Sequence, residues 1–439
     1  MMLAPLYTAD DMRAAEQGHD VDAMMERAGR AVADAVLRRY PEARRVAAVC
    51  GKGANGGDGR IALRVLAETG RETSEELDGA DVVVDALFGT GFHGAPRDDA
   101  VRQIDRINAA DAAIVAVDLP SGVDASTGEV AGAVVDADLT VTMHGPKVGL
   151  AVAPGRFHAG EVEIADIGLE PAETEHRLVT KEILRLVPRK GAQDSKYTAG
   201  AVLVVGGSPG TTGAVCLAAE AAFRADAGYV AVATPAASLP VVETRLLEAV
   251  KAPLERVDEL AQRASALAIG PGLGRGEEER ALVRRLLAEL DLPAVVDADA
   301  LFELEPGAWP GPRVLTPHAG ELGRLLGEES EWVDAHRLEA VRRATEKYNC
   351  IVLLKGADTL VAAPGEGVLV SAAGTPALAT AGTGDVLTGV VAAFLAKGMD
   401  ARLAAAAAAF AHGRASQLAP HQVGLVASDV ITALPQALS

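Results

Sequence analysis

Apolar residues recur in two rhythms along the chain. In residues 23–39, Met24, Ala28, Val32 and Val36 stand four apart among charged neighbours, the spacing of an amphipathic helix that Pro41 ends. Short β-rich runs at residues 46–50, 81–86, 113–118 and 139–142 are too brief for helices and read as strands. A Gly-rich turn and a helical segment at residues 61–68 follow the first of them. From about Ile167 to Gly200 the pattern dissolves into a charged, Pro-containing stretch, expected to be a linker plus the first helix of a second domain. Strand-like runs resume at residues 201–205, 229–233, 266–269, 294–296, 313–315 and 351–354, and the chain ends in helical patterns at 385–395 and 401–418. Strands alternating with helices predict α/β folds, each a doubly wound parallel sheet, and no short-period repeat is present.

A chain of 439 residues is long enough for more than one core, and 49% hydrophobic with 23% charged residues excludes a disordered chain. The net charge of -20 argues against nucleic acid or an anionic membrane as partner, but not against an anionic small molecule held by a local cluster of donors. Of the 41 basic residues only 9 are Lys. A GC-rich genome would favour Arg over Lys; the excess of acids points further, to a salt-loving host. Cys50, Cys216 and Cys350 lie far apart without metal spacing, so reduced, buried thiols and a cytoplasmic location are expected. The N-terminal MMLAPLYTADDMR lacks the parts of a signal peptide, and the longest apolar stretch, residues 403–411, is too short to span a bilayer.

Chemistry concentrates where strands are expected to end. Gly51, Gly53 and Gly56 satisfy GxGxxG between a strand and a helix, a weak dinucleotide signal. Asp58 complicates it, because a carboxylate at a helix start repels a pyrophosphate; as a helix cap it would be purely structural. Asp85 and Asp118 end two further strands, each running into a Gly-rich or Pro-Ser-Gly loop, so Asn55, Asp85 and Asp118 are expected to converge on one crevice. Their oxygens suit a hard cation rather than zinc. In the second half Thr380-Ala381-Gly382-Thr383-Gly384-Asp385 precedes a helix, an anion hole with a carboxylate placed to take a proton from a hydroxyl. A capped turn is the bland alternative. No GxxxxGK[ST] occurs, which excludes P-loop phosphoryl transfer. Gly270–Gly274, Asp297–Ala300, Thr316–Glu321 and Lys355–Thr359 end other strands. There His318 is either at the sheet edge or a satisfied core histidine, and Lys355 either meets a nucleotide phosphate or is a surface lysine.

Taken in order, these motifs resemble the bifunctional NAD(P)H-hydrate repair family. GKGANGGDG, DALFGTGFHG and VDLPSGVD resemble its epimerase domain; IGPGLG, DADAL, LTPHAGE, LKGADT and ATAGTGDVLTG resemble its ADP- or ATP-dependent dehydratase domain. The resemblance implies a Rossmann-like domain over residues 1–170 and a ribokinase-like domain over 171–439. It implies repair of NADH and NADPH hydrated at C6 of the nicotinamide ring (NADHX and NADPHX): one domain interconverts the R and S forms, the other spends ADP or ATP to dehydrate the S form. By the same resemblance Asn55, Asp85 and Ser121 match ligands of K+. Ala54, Asn55, Gly56, Gly57 and Asp58, the loop Gly89, Thr90, Gly91, Phe92, His93, Gly94 and Ala95, and Asp118 match substrate contacts, with Asp118 the candidate for proton transfer. Ala214, Gly272, His318 and Asp385 match substrate contacts of the dehydratase, with Asp385 as base. Lys355, Gly356, Ala357, Asp358, Thr359 and Gly384 match its nucleotide site. The nucleotide is expected to be ADP with Mg2+, and the assembly a homo-oligomer.

Two departures stand out. Ala54 replaces the first of two Asn that the family carries before Gly-Gly-Asp, and the segment between Gly59 and Asp81 is shortened by about one βα unit, leaving only a helix and the acidic ETSEELDGAD. Two other readings compete: a ribokinase-like small-molecule kinase fused to a non-catalytic nucleotide-binding domain, and a first domain that only binds and oligomerises.

Overall fold

Strands apolar on both faces need cover on both. The computed structural model, which describes residues 3–439, supplies that cover with helices. The chain divides into two compact units. One comprises Pro5–Arg177 with Asp334–Leu338; the other comprises residues 3–4, Leu178–Val333 and Glu339–Ser439.

The first unit is built on β1 (Arg45–Cys50), β2 (Glu72–Ser74), β3 (Val82–Ala86), β4 (Ala113–Val117), β5 (Leu139–Met143) and β6 (Glu161–Ala165). They lie in the order β2-β1-β3-β4-β5-β6, all parallel. From β1 the chain steps to β2 on one side and then to β3 on the other, so a crevice opens beyond the carboxyl ends of β1 and β3. Its helices are α1 (Ala9–Glu16), α2 (Val21–Arg39), α3 (Ala54–Glu68) and α4 (Asp98–Asn108). Successive strand residues feed opposite faces: Val82 and Val84 pack with Val32, Val36, Ala62 and Leu66 of α2 and α3, whereas Val83 packs with Ile104 and Ile107 of α4.

Two expectations need correcting here. The helix after β1 starts at Ala54 rather than near Ile61, so the Gly-rich stretch is its first turns; Gly53 is the N-cap, and Asp58 caps nothing. Between Gly59 and Asp81 the chain does form a strand, the three-residue β2, and what is missing is a helix between β2 and β3. That strand escapes a search for apolar runs because Glu72-Thr73-Ser74 is polar.

In the second unit the strands are β7 (Ala201–Val205), β8 (Tyr229–Thr234), β9 (Val250–Pro253), β10 (Ala266–Ile269), β11 (Ala294–Val296), β12 (Arg313–Leu315), β13 (Ile351–Leu354), β14 (Thr359–Ala362) and β15 (Leu369–Ser371). The order is β15-β14-β13-β12-β11-β10-β7-β8-β9, parallel from β9 to β13 and antiparallel for β14 and β15. Two outer strands of this eleven-stranded sheet, Leu3–Leu6 and His176–Val179, contain the points where the chain passes between units. The helix expected at the start of this half is a 3-10 segment, Lys181–Leu186. Strand order reverses between β7 and β10, where their following loops interlock: Gly207 N–H donates to Pro271 O at 2.9 Å and Ser208 N–H to Gly272 O at 2.6 Å. Helices α5 (Thr212–Arg224), α6 (Ala319–Leu326), α7 (Thr383–Ala396) and α8 (Ala401–Leu418) complete the frame. α7 is buried almost all round, and Gly389 lets it approach α5 closely, since a Cβ there would lie 2.1 Å from Ala218 O. Among the described residues no helix is long and apolar enough to cross a membrane. The three cysteines are free.

Candidate active sites

In the first unit a cavity of about 1290 Å³ opens over the carboxyl ends of β1 and β3. Ala54, Asn55 and Asp58 of α3, the loop residues Gly89, Thr90, Gly91, Phe92, His93 and Ala95, and Asp118 at the end of β4 all line it. Gly56, Gly57 and Gly94 do not. Gly56 instead lets α3 sit against β1's end, because a Cβ there would stand 2.0 Å from Gly51 O, and Gly57 faces Met25 Sδ. Phe88 and Phe92 stack at 4.6 Å and stiffen the loop.

Beneath the cavity Asp85 is fully buried. Its carboxylate accepts from Ser121 N at 2.8 Å, Ser121 Oγ at 2.7 Å and Leu87 N at 3.2 Å, and Ser121 Oγ accepts from Phe88 N at 2.9 Å. Burial pushes the Asp85 carboxyl up to about 6, against those hydrogen bonds. Asn55 Nδ2 donates to Phe88 O at 2.7 Å, which turns its amide oxygen the other way. Strand ends thus bring Asn55, Asp85 and Ser121 into one linked group.

Asp118 adopts a left-handed backbone, φ 69°, and is 7% exposed. Its Oδ1 accepts from Thr142 Oγ1 at 3.2 Å, Met143 N at 3.1 Å and Lys147 Nζ at 2.5 Å; among the described residues nothing donates to Oδ2. Asp58 is driven up to about 8 by burial and then by the charges of Asp118 and Glu16. Glu16, also on the wall, is raised by burial and by Asp118. Glu16 and Lys147 are the residues that sequence reasoning missed. Glu16 sits in an ordinary polar helix, whereas Lys147 offered a signal, being one of nine lysines and placed just after a buried strand.

In the second unit Gly382 (φ 89°) caps α7 with left-handed backbone that glycine adopts without strain, and no side chain caps this helix. The N–H groups of Gly384 and Asp385 have no protein acceptor among the described residues. Lys355, at the end of β13, reaches this turn: a Cβ on Gly384 would be 3.5 Å from its Nζ. The ammonium also lies 2.8 Å from Asp297 Oδ1 and 3.8 Å from Glu321 Oε2. Burial works against the Lys355 charge, but Asp297 and Glu321 outweigh it and raise the pKa. Asp297 is buried, and its Oδ2 accepts from Thr388 Oγ1 at 2.6 Å. Asp385 is pushed up to about 7, by burial and then by Asp297, with Lys355 opposing. A carboxyl with that pKa is divided between acid and base near neutral pH.

The remaining expected residues lie on other strand ends and helix starts of this unit, with varying access. Ala214 is in the first turn of α5, and Gly272 (φ 57°) is in the loop after β10. His318 is not a core histidine: it is exposed and caps α6, its Nδ1 accepting from Gly320 N at 3.0 Å. Gly356 and Ala357 are exposed in the turn after β13, Asp358 is fully buried, and Thr359 opens β14.

Two doubly wound units, one with a cavity where strand order reverses and the other with a polar cluster at a helix start, define a two-site α/β enzyme. A family model described as NAD(P)H-hydrate dehydratase matches residues 202–436, and one described as YjeF-related protein N-terminus matches residues 21–74 and 69–149. The bifunctional NAD(P)H-hydrate repair enzyme of Moorella thermoacetica is 38% identical, covering 94% of this chain and 92% of its own. That of Escherichia coli is 32% identical over 98% and 93%. An ADP/ATP-dependent NAD(P)H-hydrate dehydratase from Bacillus subtilis, co-crystallised with ATP/Mg2+, is 30% identical, covers 59% of this chain and 96% of that one, and has a TM-score of 0.55. A ribokinase-like superfamily protein from Enterococcus faecalis, 24% identical over 61% and 97%, shares the fold with a TM-score of 0.55. The chain belongs to the family of bifunctional NAD(P)H-hydrate repair enzymes, as its motif order implies, and the kinase alternative is not favoured.

Proposed function

We propose that the cavity of the first unit epimerises the R and S hydrates of NADH and NADPH, and that the α7 turn of the second unit dehydrates the S hydrate with ADP as phosphoryl donor. The observation that carries the second half is the meeting of Asp385, Lys355 and the unpaired N–H groups of Gly384 and Asp385 at one helix start. Backbone N–H groups and the ammonium hold the terminal phosphate. Asp385 takes the proton of the C6 hydroxyl, whose oxygen attacks that phosphorus and displaces AMP. Phosphate then leaves C6 while C5 loses a proton to solvent, and the C5–C6 double bond of the reduced nicotinamide is restored. Mg2+ accompanying the nucleotide would offset phosphate charge.

In the first unit the hydrate is a hemiaminal, and inversion needs its ring opened and closed on the other face. Asp118 Oδ2 takes the hydroxyl proton as the C6–N1 bond breaks, and Asp58, the carboxyl held protonated near neutral pH, supplies the proton to N1. Rotation of the freed aldehyde followed by the reverse transfers yields the other epimer.

Asn55, Asp85 and Ser121 fit a K+ ion on the chemistry of their donors. All are oxygens, and Asp85 is a buried carboxylate whose hydrogen-bond partners carry no positive charge. Such an ion would neutralise Asp85 and fix the loop that begins at Leu87. The free cysteines suit a reducing cytoplasm, and the acid excess suits a high-salt host.

The test is to give the full chain pure R hydrate of NADPH with ADP and follow reduced-nicotinamide absorbance. Full recovery with stoichiometric AMP and phosphate supports both activities. Recovery from S but not R hydrate would refute the epimerase half, and a stable phosphorylated product would refute the dehydratase half.

A further inference from the structure

We propose that Lys147 is the positioning residue of the epimerase site: its ammonium, sealed below the cavity, pins one oxygen of Asp118 so that the other faces the hydrate. The inference rests on the reading of Asp118 as proton acceptor.

The donors around Asp118 are distributed unevenly. Oδ1 receives Thr142 Oγ1, Met143 N and Lys147 Nζ, all from the end of β5 and the loop after it. Lys147 is fully buried, and its other two ammonium hydrogens are spent on Met143 O at 2.7 Å and Thr142 Oγ1 at 3.0 Å. No hydrogen of this ammonium is left for a ligand, so Lys147 acts through Asp118 and not on substrate. Tyr7 clamps the segment from both sides, its N–H donating to Pro146 O and its carbonyl accepting from Val148 N, each at 3.0 Å.

A buried ion pair costs desolvation on both sides and is a poor choice if stability alone were served. Here the pair performs a task that an apolar pair would not. The charged and titratable groups facing Asp118 are Glu16 on α1, Asp58 on α3 and Lys147 itself, with His144 beside the lysine. Two of these neighbours are carboxyls, and among the described residues Lys147 is the one cation in contact with Asp118, adding its attraction to the two neutral donors on Oδ1. Three donors on Oδ1 also fix the carboxylate plane, which a base needs for aim. Lys147 therefore supplies the ion pair and a share of the pinning that leaves Oδ2 free toward the cavity.

The experiment compares Lys147→Met, Asp118→Asn and the double variant in the full chain, measuring epimerase kcat, KM and the pH dependence of kcat on R hydrate. Lys147→Met is expected to lower kcat about 30-fold or more with KM within about threefold, and to move the acid limb up by at least one pH unit. The double variant should be no slower than Asp118→Asn. Near-normal kcat in Lys147→Met, a fall with the acid limb unmoved, or a double variant slower than Asp118→Asn each overturns the proposal. Normal turnover in Asp118→Asn would instead overturn the reading of Asp118, and the positioning role with it. Should Lys147→Met fail to fold, Thr142→Val removes one pin without stranding a charge. A several-fold lower kcat at constant KM supports the inference, and unchanged kcat overturns it.

Discussion

Thr388→Val removes one hydroxyl from the dehydratase unit, whose shorter hydrogen bond goes to Asp297 Oδ2 at 2.6 Å and whose longer contact is with Gly384 O at 3.2 Å. Thr and Val have nearly the same shape, so the buried site around Thr388 keeps its packing and loses only a donor. Thr388 Oγ1 donates at 2.6 Å to Asp297 Oδ2, and the other oxygen of that carboxylate is 2.8 Å from Lys355 Nζ. Without the hydroxyl, Oδ2 of a buried carboxyl is left with no donor among the described residues. Hydrogen bonds to charged groups contribute about 1.5–3 kcal/mol, and a stranded buried acceptor costs at the upper end. We therefore expect a loss of about 2–3 kcal/mol, or a transition of the second unit lower by about 4–12 °C. Scanning calorimetry of the full chain with and without ADP measures this, because the nucleotide shifts only the transition of the unit that binds it. A loss below about 0.5 kcal/mol would mean that Asp297 does not depend on Thr388, and the chain from α7 through Asp297 to Lys355 would have to be abandoned.

Three further outcomes can be checked directly. Asp385→Asn should abolish hydrate-dependent ADP cleavage with the fold retained, and in the wild type kcat/KM for dehydration should rise with pH through about 7 as Asp385 ionises; normal turnover of the variant would remove the base. Epimerase activity should fall as pH passes about 8, where Asp58 loses its proton, and a rate that keeps rising to pH 9 would deny it the role of acid. Gly56→Ala puts a methyl 2.0 Å from Gly51 O, a main-chain atom that cannot rotate aside, so the first unit should lose about 1–3 kcal/mol, read as earlier thermal loss of epimerase activity.

Parallel strands were legible because they are short apolar runs, one of them opening on Arg313: residues 201–205, 266–269, 294–296, 313–315 and 351–354 are strands with those bounds. The helix start at Ala54 was not, since four glycines at residues 53, 56, 57 and 59 read as a turn by propensity. Close packing overrides that preference: Gly29 of α2 meets Ile61, and Gly56 meets the main chain of Gly51. Polar β2, at the edge of its sheet, and the antiparallel β14 and β15, paired in sequence order after β13, were not among the strands expected. At the sites, strand-end position leads to the expectation that Asn55, Asp85 and Asp118 converge on one crevice; Asn55 and Asp118 line the cavity, whereas Asp85 is fully buried and bonded to Ser121, a residue that only the family resemblance singles out. Strand-end position could not predict the asymmetry at Asp118, because that depends on where a lysine 29 residues later folds back.

The loops at the two strand-order reversals meet through main chain: a Cβ on Gly51 would stand 2.1 Å from Leu87 O, and one on Gly206 would stand 2.1 Å from Pro271 O. At these two contacts selection acts on the absence of an atom. A gene drifting under mutation could exchange many side chains around these loops and keep their course, yet a single added carbon at Gly51 or Gly206 would spread two adjoining strand ends at once. A saturation mutagenesis map of this protein should then show glycine-only columns at those two floors, set among walls that tolerate wide exchange.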